Sequence, residues 1–181
     1  MRFLIVLYLL FVGVAALLAQ MILPPHYPLL SVIGFGSAMI PLVVIYASLE
    51  VGDERALALS ALLGLLVDLT SSHRLGTSVL TMTSLSALIV PQAQRPEAHL
   101  WFIRLTFVLV GTFLVLLLDY MLTLAEMGRW LWPLDVWSKI TFASLLNVVL
   151  CPFFFFLVGF FPRRLGWKPV NEQLQDRAYV G

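Results

Sequence analysis

Phe3 to Leu49, FLIVLYLLFVGVAALLAQMILPPHYPLLSVIGFGSAMIPLVVIYASL, is a run of 47 residues without Lys, Arg, Asp or Glu. One bilayer crossing takes about 20 residues, so the run has to turn back on itself. Pro24, Pro25 and Pro28, set around His26 and Tyr27, supply the break, because proline removes helix hydrogen bonds. Two spans result, residues 3–23 and 29–49. The first is longer than the apolar region of a signal peptide and a second span follows almost at once, so it is read as a retained helix.

Outward from this run the same composition holds. Of 181 residues 61% are hydrophobic and 12% charged, against about 25% charged in a soluble domain. The 21 charged side chains, 11 basic and 10 acidic, are too few to solvate the surface of a water-soluble globule of this size. The expected class is an all-α, polytopic membrane helix bundle. A net charge of +1 without a basic cluster excludes an electrostatic nucleic-acid footprint. The single Cys151 excludes an intramolecular disulfide and a cysteine-rich metal cluster, and no cofactor or metal motif is present.

Residues 56–70 and 75–90 form a short helical hairpin, each arm near the lower length limit for a span, so their ends are expected to reach into flanking polar residues. Pro91 and Pro96 bracket the next connection. Spans 101–124 and 140–161 complete a six-helix transmembrane domain over residues 1–162, followed by a short tail, 163–181. Trp101, Trp130, Trp132, Trp137 and Trp167 all fall at or just beyond span ends, where indoles favour the headgroup layer. With the N-terminus inside, the inner side collects Arg2, Arg55, Arg95, Arg104, Arg163, Arg164, Lys168 and Arg177, against Arg74, Arg129 and Lys139 outside, a bias of eight to three. Cytoplasmic loops retain positive charge, which puts both termini in the cytoplasm. Arg163, Arg164 and Lys168 either meet anionic headgroups or only fix topology.

Ala56, Ser60, Gly64 and Asp68 recur at every fourth position, so three small residues and one acid share a side of the third helix. Small residues let helix backbones approach closely in lipid. The stripe is a candidate interface, for packing within the bundle or for a partner, with the first favoured. Leu63 lies on a different face, so shortening it is expected to cost less than enlarging Gly64. Ala15 and Ala19 give the first helix a weaker stripe of the same form. Asp68 closes its helix at the end where the macrodipole disfavours an anion. Its compensation is expected from Arg74 and His73 in the loop and from the backbone N–H groups around Gly76 and Thr77, a clamp on the turn, with a proton or ion site as the alternative. Asp119 is the only acid well inside the uncharged run Leu105 to Leu124 and is expected at the depth of Asp68. Two acids at one depth raise a carboxylate dyad, as in an intramembrane hydrolase, but neither H-E-x-x-H nor G-x-S-x-G accompanies them. On the fourth helix Thr77, Thr81 and Ser84 share a face, where hydroxyls in lipid ordinarily bond their own or a neighbouring helix.

Pro41, Val43-Val44-Ile45-Tyr46, Gly52, Gly64-Leu-Leu-Val-Asp68-Leu, Leu75-Gly76 and Leu80 together resemble the rod shape-determining protein MreD family. The shared pattern is a proline-containing second helix ending in a tyrosine, then G-L-x-x-D closing a short third helix, then L-G. Size, six apolar segments and short loops agree with it. The sequence departs in Thr77-Ser78 and in the tryptophan-rich loop Glu126 to Trp137. The resemblance implies a non-enzymatic subunit of the cell inner membrane elongation machinery, bound to MreC and through it linking MreB to RodA and its partner transpeptidase. It also implies a helix arrangement like that of substrate-binding subunits of energy-coupling-factor vitamin transporters, which supplies the alternative function. Against that alternative stands the short first external loop, Pro24 to Pro28.

Overall fold

The computed structural model describes residues 2–26, 35–70, 76–95, 100–128, 134–164 and 166. Among them the structure is all-helical: α1 Arg2–His26, α2 Phe35–Val51, α3 Glu54–Thr70, α4 Thr77–Ala93, α5 Trp101–Met127 and α6 Leu134–Arg164. Arg74, Leu75, Trp130, Trp132, Trp167, Pro28, Pro96 and the tail beyond 166 lie outside the described residues.

The packing is organised around α2. It touches α1, α3, α4, α5 and α6, and every residue from Ile40 to Gly52 is buried. A mostly apolar helix whose polar residues form no face of their own has no solvent side to keep and goes to the centre. Around it, α3 and α4 pair most extensively, α5 packs on α4 and on α6, and α1 leans on α2 and α3. The outer surface of this ring is apolar: Phe3, Phe11, Phe102, Val149, Phe153 and Phe156 are each more than two-thirds exposed. So large an exposed apolar surface marks contact with lipid or protein. Two helices, Trp101–Ala125 and Val136–Pro162, are long and apolar enough to cross a membrane.

The prolines correct the expected boundaries. Helix α1 runs through Pro24 and Pro25 to His26, and α4 through Pro91 to Ala93. Proline's fixed φ is helical, and in a final turn it forfeits only the hydrogen bond of a carbonyl one turn back, so the breaks come after these residues. Likewise α6 starts at Leu134 and carries Pro152 within it. Turns are set by chemistry that the spacing alone hides. Gly52, at φ 60°, ends α2, and the Asp53 carboxylate then accepts the Arg55 N–H at 3.0 Å as the N-cap of α3. The α2–α3 connection is therefore only two residues long.

Candidate functional site

Among the described residues, three constellations of polar groups organise this bundle, and each joins different helices.

The first closes the α3–α4 hairpin. Ala56, Ser60, Gly64 and Asp68 are all buried. At Gly64 a side chain is excluded: an added Cβ would stand 2.6 Å from Val79 Cα and 2.7 Å from the Ser78 carbonyl, both backbone of α4. The small residue thus lets α3 and α4 touch through their main chains. One turn further on, that closeness brings the Asp68 carboxylate to the start of α4. Oδ2 accepts from the Gly76 N–H at 2.7 Å and the Val79 N–H at 3.4 Å. Oδ1 accepts from the Ser78 N–H at 2.9 Å and the Thr77 hydroxyl at 3.3 Å. The N-terminal N–H groups of a helix lack intrahelical partners, and here a residue 8 to 11 positions earlier supplies their acceptor. Gly76, at φ 108°, makes the backbone turn that aims them. Ser60, in the middle of the stripe, turns its hydroxyl back onto the Ala56 carbonyl at 2.7 Å.

Asp119 belongs to the second constellation. It stands on α5 and lines a cavity of about 80 Å³ with Ile40 and Pro41 of α2, Val67 of α3, Ser78, Thr81 and Met82 of α4, and Val115 and Leu116 of α5. Ser78 joins the two constellations, since its N–H holds Asp68 and the residue also lines the cavity. Of the hydroxyl face expected on α4, Thr81 is buried, whereas Thr77 and Ser84 are half-buried. Ser86, off that face, is the fully buried one and meets Ser48 of α2 at 2.8 Å.

The third constellation was not anticipated. Arg104, counted among the inner topogenic charges, is buried on α5 with its Nη1 donating to Glu50 Oε1 of α2 at 3.1 Å. The guanidinium also lies 6.0 Å from the Trp101 ring and 5.9 Å from the Phe155 ring, at cation–π range. Phe155 in turn meets Tyr46 edge-on, centroids 4.9 Å apart. Glu50 is in the last turn of α2 and Arg104 in the first turn of α5, each at the helix end where the macrodipole disfavours its charge. The pairing offsets both. A signal for this pair existed: two helices, α3 and α4, separate the end of α2 from the start of α5, an even number, which puts the two charges at one end of the bundle.

Other expectations are redistributed. The close approach of α1 is at Gly13, whose absent side chain is filled by Leu63 of α3, whereas Ala15 is exposed and Ala19 half-buried. Leu63 is accordingly fully buried and is no benign control for Gly64. On α6, Asn147 is buried and donates from Nδ2 to the Thr112 hydroxyl of α5 at 3.1 Å.

No curated protein matches this chain and no solved structure does. The description of the rod shape-determining protein MreD matches residues 1–161, which take in all three constellations. With the match running from α1 nearly to the end of α6, the chain belongs to the MreD family, a family of cell-shape-determining membrane proteins.

Proposed function

We propose that this chain is a non-enzymatic scaffold subunit of the elongation complex in the cytoplasmic (inner) membrane. In this reading it crosses the membrane six times with both termini in the cytoplasm, binds MreC, and helps couple MreB to peptidoglycan synthesis by RodA and its partner transpeptidase. The family match over residues 1–161 carries the reading. The geometry supports it, because several of the buried polar groups join helices: Asp68 on α4, Glu50 on Arg104, Ser48 on Ser86 and Asn147 on Thr112. A rigid bundle with an apolar exterior suits a protein whose work is to hold partners in one plane.

The vitamin-transporter alternative needs a ligand pocket of roughly 300 Å³ or more. The cavity at Asp119, at about 80 Å³, is several-fold smaller and is not that pocket. Affinity purification of the tagged full-length protein from mild detergent, with identification of what copurifies, tests the proposal. Copurifying MreC, together with loss of rod shape on depletion, is expected. A bound vitamin with an ATPase module in place of MreC would overturn it.

A further inference from the structure

The last turns of α6 set a cation at the end of an exposed aromatic ridge. The stretch Val136–Pro162 is long and apolar enough to cross a membrane. Arg163 and Arg164 follow it at once and end the helix, at the level where hydrocarbon gives way to headgroups. Arg164 is exposed, and its guanidinium lies over the Phe160 ring, 4.6 Å from the centroid. That ring in turn meets Phe156, centroids 6.3 Å apart. Phe153, Phe156, Phe160 and Arg164 recur at steps of three and four residues, which puts them on one face of α6. Phe153 and Phe156 are more than two-thirds exposed and Phe160 about half. Residues 136–171 contain no Asp or Glu, and no carboxylate among the described residues pairs with Arg164. A cation–π contact takes up no acceptor, so the N–H donors of the guanidinium are left for water or an anion.

We propose that this face of α6 binds one anionic phospholipid, its phosphate on the Arg164 guanidinium and an acyl chain along Phe160, Phe156 and Phe153. The inference goes beyond the scaffold reading and rests only on α6 lying in a bilayer. Both ends of such a lipid find their complement. A phosphate takes the planar guanidinium fork bidentately, and aromatic rings, with two χ angles each, lose little freedom when a chain lies against them. A zwitterionic lipid offers the same tail but brings its own ammonium to a helix end where Arg163 already adds a second positive charge. Fixing topology needs positive charge alone, and a lysine serves it as well as an arginine. The ring beneath Arg164 and the ridge below it go beyond what topology needs.

Native mass spectrometry of the purified full-length protein tests this, with the protein released from micelles doped with equal amounts of phosphatidylglycerol and phosphatidylcholine. One phosphatidylglycerol retained per chain, in several-fold excess over phosphatidylcholine, is expected. Arg164→Lys keeps the charge and the topogenic signal but has no bidentate fork. Phe160→Leu keeps an apolar surface without the ring. Each should lower the preference several-fold while leaving thermal unfolding in lipid-free detergent unchanged. Arg95→Gln removes a charge from an exposed position just beyond α4 and should leave the preference intact. Glycerol 3-phosphate, a head without a tail, should not displace the lipid. Equal retention of the two lipids by the wild-type protein would overturn the proposal. So would an unaltered preference in Arg164→Lys, an equal loss in Arg95→Gln, or displacement by glycerol 3-phosphate.

Discussion

Replacing Gly64 by alanine adds one methyl group where the structure leaves no room for it. The new Cβ would lie 2.6 Å from Val79 Cα, 2.7 Å from the Ser78 carbonyl oxygen and 2.8 Å from Val79 N. Ordinary van der Waals contact begins near 3.4 Å, so α3 and α4 must part by roughly 0.8 Å, and backbone atoms cannot rotate aside as a side chain can. Overpacking of this kind costs about 1–3 kcal/mol. The separation also acts one turn away, at Asp68. Its bonds to the Val79 N–H and the Thr77 hydroxyl, now 3.4 and 3.3 Å, would pass out of hydrogen-bonding range, and those to Gly76 and Ser78, at 2.7 and 2.9 Å, would lengthen to its limit. Weakening hydrogen bonds to a charged acceptor adds roughly 1–2 kcal/mol, for about 2–5 kcal/mol in all. Two companion variants calibrate the argument. At Gly13 the obstacle is the flexible tip of Leu63, and at Gly111 the nearest atoms are side-chain tips of Leu85 and Ile45 at 3.0 and 3.1 Å, so each alanine there should cost under about 2 kcal/mol. Reversible unfolding of the three variants in mixed micelles, followed by circular dichroism, gives the ranking. Should Gly13→Ala prove as costly as Gly64→Ala, the distinction between backbone and side-chain obstruction, and with it the main-chain contact of α3 with α4, would be refuted.

Four further outcomes are expected. Arg104→Met and Glu50→Gln should each destabilise by about 3–5 kcal/mol because the remaining buried charge loses its counterion, while the double variant costs less than their sum; additive losses would show that the pair is not coupled. Asp68→Ala should cost about 1–3 kcal/mol and accelerate hydrogen exchange at the Gly76 and Ser78 amides, whose acceptor it removes; unchanged exchange at both would sink the clamp. Asp119→Asn should keep copurification of the partner while Asp119→Leu weakens it, because an amide preserves hydrogen bonding without charge; loss of assembly in a well-expressed Asp119→Asn protein would instead require an ionised carboxylate. For topology, Ser71→Cys and Gly128→Cys in a Cys151→Ala background should react with an impermeant thiol reagent from outside, and Gln94→Cys and Gln173→Cys should not; external labelling at Gln94 would overturn the six-span arrangement.

Helical class and connectivity were legible in the amino-acid order because they rest on one-dimensional quantities. A run of 47 uncharged residues needs a membrane-like solvent and a reversal, and Gly64, Asp68 and Gly76 carry local chemistry at short separation: a stripe, a carboxylate at a helix end, and unpaired N–H groups eight residues on. Faces and partners were not legible in this way. In a soluble helix the polar side marks the outside, but the few polar residues of α2 and α6 do not gather on one side, so periodicity says nothing about which side is buried. Only packing placed α2 at the centre, chose Gly13 over Ala15 and Ala19 as the contact of α1, and buried Leu63 against it. The Glu50–Arg104 pair, 54 residues apart, and the cavity shared by α2, α3, α4 and α5 depend on how helices meet in three dimensions. With an exterior as apolar as the core, it is the few buried polar groups that make one arrangement of these helices better than the others, and their pairing exists only once the helices have met.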